Sequence, residues 1–80
     1  MFIKFMKIFI NINGIVSTLK VNSTDTIATL KTKIRYDKYI PELNQNLIFS
    51  GKYLYDNKTL SDYNITSMST VYLILNLTGG

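Results

Sequence analysis

The sequence predicts an α+β fold in which a mixed sheet of four to five strands packs on one helix. Alternating residues from Met6 to Ile12, the turn dipeptide Asn13-Gly14 and a returning segment, Ile15 to Val21, indicate a β-hairpin. Apolar residues at helical spacing follow, and the strongly apolar segment Val71-Tyr-Leu-Ile-Leu75 predicts a last strand. One helix over one sheet is the economical way to bury both apolar surfaces.

The helix is predicted to begin after a polar turn and to end before the single proline. Asp25 or Thr26 can cap its first turn, because their side chains accept hydrogen bonds from free backbone N–H groups. Pro41 forces Ile40 toward an extended conformation, so the helix cannot continue into it. The apolar residues of the predicted helix recur at spacings i, i+3 and i+7, on one face: Ile27, Leu30 and Ile34.

Period-two alternation assigns the inward positions of the strands, because a sheet with one helix has only one covered face. In the last strand, Val71, Leu73 and Leu75 are expected to face the helix. The predicted core combines such inward positions with the apolar face of the helix; its members are Ile27, Leu30, Ile34, Leu47, Phe49, Leu60, Val71 and Leu73.

The outward positions of the same strands are also apolar. Ile48, Tyr72 and Ile74 are therefore expected to lie together in water on the uncovered face of the sheet. A contiguous exposed apolar surface on a small domain usually marks a site for a partner. Dimerisation, or a loop lying over these residues, would account for the same pattern.

Composition excludes several classes of function. The 80 residues contain no Cys and no His, so thiolate nucleophiles, imidazole bases and the common metal ligands are missing, and we expect no metal and no cofactor. The five carboxylates show no paired acid–base spacing, so we predict that the protein is not an enzyme. The net charge of +4 is spread along the chain, which does not favour a nucleic-acid partner. No segment reaches the ~18 apolar residues of a membrane span.

The chain ends in Thr78-Gly79-Gly80, and residues 76–80 are expected to form a flexible tail. Gly79 and Gly80 lack Cβ atoms, so they can thread a channel too narrow for other residues and present a bare carboxylate. Such a tail suits a carboxylate that is activated elsewhere and passed on. Terminal Gly-Gly also occurs in linkers and tags.

From Asp25 to Gly80 the residues resemble the ubiquitin family without a gap, most specifically at Thr59-Leu-Ser-Asp-Tyr-Asn-Ile65. The hairpin matches more loosely and is one residue shorter at its turn. Met6 stands where the family begins, which makes residues 1–5 an N-terminal extension. The resemblance implies a β-grasp fold and a single domain over residues 1–80. Other matching segments are Ile40-Pro41, Leu47-Ile-Phe49, Gly51-Lys52 and Gly79-Gly80.

The resemblance also implies a protein modifier, joined through its Gly80 carboxylate to lysine amines by an isopeptide bond. Its implied partners are activating and conjugating enzymes, ligases, receptor domains and deconjugating proteases. A monomer in the cytoplasm and nucleus, with no membrane partner, is expected. The residues that match the family's receptor-binding patch are Ile12, Ile48, Tyr72 and Ile74, and those that match lysines used for chains are Lys52, Lys31 and Lys33.

Several positions depart from the pattern of the family. Asn76 and Thr78 replace two arginines of the tail, and the family's activating enzymes recognise the residue that Asn76 replaces. Tyr72 stands where the family has a histidine, and Ser67 and Ile15 replace two chain lysines. Because the tail residues Asn76 and Thr78 are altered, a non-conjugated binding module or decoy is an alternative to the modifier. A sulfur carrier, a β-grasp class that also ends in Gly-Gly, is the remaining alternative.

Overall fold

The computed structural model describes residues 5–77. Within them, five strands form one mixed sheet in the order β2-β1-β5-β3-β4, and α1 packs on one face, which confirms the predicted β-grasp fold. Two 3₁₀ turns, Glu42–Asn44 and Ser61–Tyr63, connect these elements. The helix and strands are β1 (Phe5–Ile12), β2 (Ile15–Asn22), α1 (Ile27–Lys38), β3 (Gln45–Phe49), β4 (Lys52–Tyr53) and β5 (Thr70–Leu75).

The N-terminal hairpin turns at the predicted dipeptide. Asn13 and Gly14 have φ values of 54° and 83°, and Ile12 pairs directly with Ile15 across the two-residue loop. Primed turns require positive φ at both central positions, and their twist matches that of the flanking strands. The carbonyl oxygen of the Asn11 side chain accepts a hydrogen bond from Gly14 N at 2.8 Å, which further stabilises the turn.

Both ends of α1 follow from local sequence. The Oγ1 atom of Thr26, the N-cap residue, accepts a hydrogen bond from Thr29 N at 3.1 Å. At the other end Tyr39 adopts a left-handed conformation, with φ 60°, and its N–H donates to the carbonyl of Arg35 at 2.8 Å. The helix therefore stops before Pro41, as predicted. No helix within residues 5–77 has the length and apolar character needed to cross a bilayer.

The core lies between α1 and the sheet. Seven of the eight predicted members are buried, and the eighth, Phe49, is partly buried against the others. The structure adds apolar residues from both strands of the hairpin and from the loops: Ile8, Ile10, Val21, Leu54 and Ile65. It also buries one polar side chain, that of Gln45, at the start of β3.

The inward position predicted for Leu75 is confirmed, although its side chain is not buried. Leu75 does pair with Gln45, on the same face of the sheet as the core, but its side chain is 41% exposed. Its partner Gln45 is only 2% exposed, so the two paired side chains differ in exposure at this end of β5. Alternation therefore assigns the face of Leu75 correctly but does not give its exposure.

The proposed terminal segments are described only in part. Phe5, the last residue of the predicted extension, is the first residue of β1 and pairs with Asn22 of β2. Residues 1–4 lie outside the described range, as do residues 78–80 of the predicted tail. The boundaries of the extension and of the tail stay predictions.

Candidate functional site

Strand pairing places an apolar row across the outer face of the sheet, opposite the helix. Tyr72 of β5 pairs with Ile48 of β3, and Ile48 pairs with Tyr53 of β4. Ile74 lies two residues further along β5, so its side chain is on the same face as Tyr72. The three strands thus bring Ile48, Tyr72, Ile74 and Tyr53 together, and we call these four residues the patch.

The patch is exposed on its rim and sheltered at its centre. Tyr72 and Ile74 are each 51% exposed, and Tyr53 is 63% exposed. Ile48 is partly buried, because it lies between the two tyrosines in adjacent strands. A partly sheltered aliphatic side chain between exposed aromatic rings is a suitable anchor for a partner, since water leaves it on contact.

An open groove joins the patch to the hairpin and to the end of β5. Its walls are formed by the hairpin turn, by the outer face of β5 and by the residues that follow β5; its apolar lining residues are Ile12, Ile48, Tyr72, Leu73, Ile74, Leu75 and Leu77. All four residues that were expected to form a receptor surface therefore line one groove. Ile12 also packs partly against the core.

Tyr53 and Leu77 were not predicted as members of this surface. Period-two alternation could have identified Tyr53, because the next residue, Leu54, is buried. Leu77 lies beyond β5 and is 85% exposed. Its position in the groove depends on the path of the chain after β5, for which the sequence carries no periodic signal.

The base of the tail is bonded to the 3₁₀ turn before β3. Asn76 N donates to the carbonyl oxygen of Asn44 at 2.7 Å, and the side-chain Nδ2 of Asn44 donates to the carbonyl oxygen of Asn76 at 2.7 Å. Residue 76 is therefore held beside the sheet through its backbone. Thr78, Gly79 and Gly80, for which the resemblance implies recognition and conjugation, lie outside the described residues.

The three lysines that match chain acceptors differ in their surroundings. Lys31 Nζ lies 2.8 Å from the carboxylate of Asp56, and its side chain is only 14% exposed. Lys33 Nζ lies 2.9 Å from the carboxylate of Asp25 and donates to the carbonyl oxygen of Lys20 at 3.3 Å. Lys52 is exposed in β4 and forms no ion pair with any residue in the range 5–77.

One ion pair braces the turn that carries Asn44. Arg35 Nε and Thr32 Oγ1 donate to Glu42 Oε2 at 2.9 and 3.1 Å. A hydrogen bond from its own backbone N–H, and then those from Thr32 and Arg35, lower the pKa of the Glu42 carboxyl. The bond to Glu42 raises the pKa of Arg35 in turn. Among residues 5–77, no group of three or more acidic side chains is placed to bind a metal ion.

Comparison with known proteins shows the family of the chain. A sequence model of the ubiquitin family matches residues 8–78. NEDD8-like protein RUB3 of Arabidopsis thaliana is 36% identical over 62 residues, which are 78% of this chain and 80% of that protein. Ubiquitin-like protein NEDD8 of Dictyostelium discoideum is 37% identical over the same shares. Ubiquitin-like protein 4B of Mus musculus is 38% identical over 72% of this chain but only 31% of its own length. The chain belongs to the ubiquitin family.

Proposed function

We propose that this chain is a ubiquitin-like modifier, joined through the Gly80 carboxylate to lysine amines of other proteins and read through the patch. The observation that carries the proposal is the position of the patch beside the base of the tail, in a member of a family with NEDD8-like relatives. A receptor can then bind the modifier while the tail is attached to a target. The proposal places the protein in the cytoplasm and nucleus, as a monomer.

Conjugation is tested by looking for covalent adducts. The chain, tagged at its N-terminus, is expressed in cells that contain ubiquitin-type enzymes, and lysates are separated on a denaturing gel. Adducts heavier than the free chain are expected, and deletion of Gly80 should abolish them, because the isopeptide bond forms at that carboxylate. The Asn57→Ala variant, changed at an exposed turn, is the control and should form adducts as the native chain does. Adducts that persist without Gly80 would contradict the proposal.

Activation should be less efficient with the enzyme that serves ubiquitin than with an enzyme suited to this tail. Asn76 stands where the family has an arginine, whose guanidinium can bind a carboxylate with two parallel hydrogen bonds. Acidic groups of the enzyme left buried without that partner would cost roughly 2–5 kcal/mol. Thioester formation with the ubiquitin-activating and NEDD8-activating enzymes, measured side by side, checks this. An Asn76→Arg variant charged no better by the ubiquitin enzyme would refute it.

Lys52 is the acceptor lysine that we propose for chains of this modifier. Lys31 and Lys33 would each have to leave a carboxylate at 2.8 or 2.9 Å before their amines could attack a thioester. Lys52→Arg keeps the charge and removes the acceptor, so it should reduce chain formation in a reconstituted reaction while leaving single attachment to targets unchanged. Lys58→Arg, in an exposed turn, is the matched control. Undiminished chains in the Lys52 variant would show that another lysine serves.

A non-conjugated binding module is the second candidate. Its support is the match to ubiquitin-like protein 4B of several mammals, in which the matched segment makes up only about a third of a longer chain. In that case the patch would bind receptors while the tail stayed idle. Receptor binding without any Gly80-dependent adduct would favour the module over the modifier.

A further inference from the structure

We propose that Asn44 is a positioning residue that fixes the base of the tail for activation. The inference rests on the proposed function, because it assigns a role in the activating step. Asn44 bonds both polar groups of the Asn76 backbone, accepting from its N–H and donating to its carbonyl, each at 2.7 Å. Both distances are at the short end for N–H···O bonds, and residue 76 is held from two directions.

Asn44 is itself tied to the helix through its own turn. Its N–H donates to the carbonyl oxygen of Pro41 at 2.9 Å, which closes the 3₁₀ turn. Glu42, two residues earlier, accepts hydrogen bonds from Thr32 and Arg35 of α1 at 3.1 and 2.9 Å. The tail is therefore bonded to a turn that the helix side chains hold in place.

The residue after Asn44 is anchored as well. Gln45 is 2% exposed, and its Nε2 donates to the carbonyl oxygens of Lys31 and Ile40, both at 2.9 Å. Asn44 thus lies between two side chains that are each bound to α1 or to the segment that follows it. Because the side chains of Glu42 and Gln45 each take part in two hydrogen bonds, the segment that carries Asn44 is held against α1 on both sides of that residue.

The pairing between β3 and β5 continues for one residue beyond the two strands, to Asn44 and Asn76. Gln45 pairs with Leu75 in the β3–β5 ladder, and Asn44 and Asn76 are the next opposed residues. The backbone of Asn76 is therefore oriented by the sheet before any enzyme binds. Such preorganisation lowers the ordering cost of association, so it acts on binding rather than on the chemical step.

The experiment compares Asn44→Ala and Asn44→Asp with matched changes at Asn57, which lies in an exposed turn and makes no side-chain hydrogen bond within residues 5–77. Alanine removes the donor, and aspartate replaces it by an oxygen that cannot donate at neutral pH. Asn57→Asp carries the same change of charge. The first readout is the exchange protection of the Asn76 amide by NMR. The second is the KM and kcat for thioester formation with whichever of the two activating enzymes charges the native chain.

The Asn76 amide bonds the backbone carbonyl of Asn44, which both Asn44 variants keep, but opening of residue 76 for exchange breaks this bond and the side-chain bond together. Loss of the side-chain bond should therefore make that opening easier and lower the protection of the Asn76 amide by roughly fivefold or more, the worth of one hydrogen bond. We expect KM to rise by a similar factor with kcat unchanged, and receptor binding at the patch to stay within twofold. Both Asn57 variants should match the native chain in every readout. If Asn44 only stabilised the fold, its replacement would lower the melting temperature without the selective change in KM.

Native protection of the Asn76 amide in both Asn44 variants would overturn the inference, whatever the activation assay gives. An unchanged KM in variants whose Asn76 amide has lost protection would overturn it too. If no activating enzyme charges even the native chain, the proposed function fails and the role of Asn44 in activation fails with it. The amide exchange then still decides whether Asn44 holds residue 76.

Discussion

Replacing Ile48 by alanine separates the stability of the domain from its proposed recognition by receptors. Ile48 lies at the centre of the patch, between Tyr72 and Tyr53, and is partly buried in the free protein. The side chain is on the face of the sheet opposite the helix, so its removal leaves the core intact. We expect the variant to fold and to bind receptor domains more weakly.

The size of the effect follows from the carbon atoms removed. Isoleucine to alanine deletes three carbons, each worth about 0.8 kcal/mol when fully transferred from water, or about 2.4 kcal/mol in total. Neighbours already cover part of Ile48, so only the remaining exposed part contributes to binding. The expected loss of binding free energy is about 1–1.5 kcal/mol, which corresponds to a roughly 5- to 12-fold rise in Kd. The covered part sets the cost to stability at about 1 kcal/mol.

The assay is an NMR titration of the native chain and the variants with an isolated ubiquitin-receptor domain. Tyr36→Ala is the matched control, because Tyr36 is 71% exposed on α1, on the other side of the sheet. Native binding by Ile48→Ala, or shifts confined to the helix face with none at Ile48 or Ile74, would refute this assignment of the patch.

Three further predictions concern stability. Leu73→Ala deletes a side chain that is 4% exposed in the core and should cost roughly 2–5 kcal/mol in urea unfolding, whereas a loss below about 0.5 kcal/mol would contradict its inward orientation. Tyr39 is 87% exposed and has a left-handed backbone, which is strained for tyrosine but not for glycine. Tyr39→Gly should therefore raise the stability by about 0.5–1 kcal/mol, measured as a higher melting temperature, and a lower melting temperature would contradict this. Folding lowers the pKa of Glu42, so its contribution is present above the unfolded pKa and is lost as pH falls through the folded value. The unfolding free energy of Glu42→Gln should therefore depend less on pH below about 5 than that of the native chain, and an identical pH dependence would show that the carboxyl contributes nothing.

Local sequence determined the ends of several elements, because the forces that set them act over a few residues. The turn at Asn13-Gly14 follows from the ease with which both residues adopt positive φ. The start of α1 at Thr26 follows from a hydroxyl that can accept a backbone bond, and its end from Pro41. Only the choice between Asp25 and Thr26 as cap was left open, since both side chains can accept. The structure uses Thr26 and gives Asp25 to the Asn22 N–H and Lys33 instead.

Periodicity identified most of the core and three of the four predicted groove residues, Ile48, Tyr72 and Ile74, because a strand side chain alternates faces whatever the rest of the chain does. The fourth, Ile12, was assigned from the resemblance to the ubiquitin family. Periodicity could not give the pairing between strands, which joins residues far apart in sequence. That pairing brings Tyr53 beside Ile48 and thereby completes the patch.

Tertiary structure alone decided exposure and polar contacts. Leu75 is on the covered face by alternation, yet it is 41% exposed, whereas its partner Gln45 on the same face is 2% exposed. The sequence does not show that Lys31 and Lys52 differ in the availability of their amines. In the structure the carboxylate of Asp56 pairs with the amine of Lys31 and sequesters it. The bonds between Asn44 and Asn76 join residues 32 apart in the chain. Residues 27–38 have the periodicity of a helix and residues 71–75 that of a strand. The packing of the helix on the sheet then decides which of their side chains are exposed to water and which contact each other.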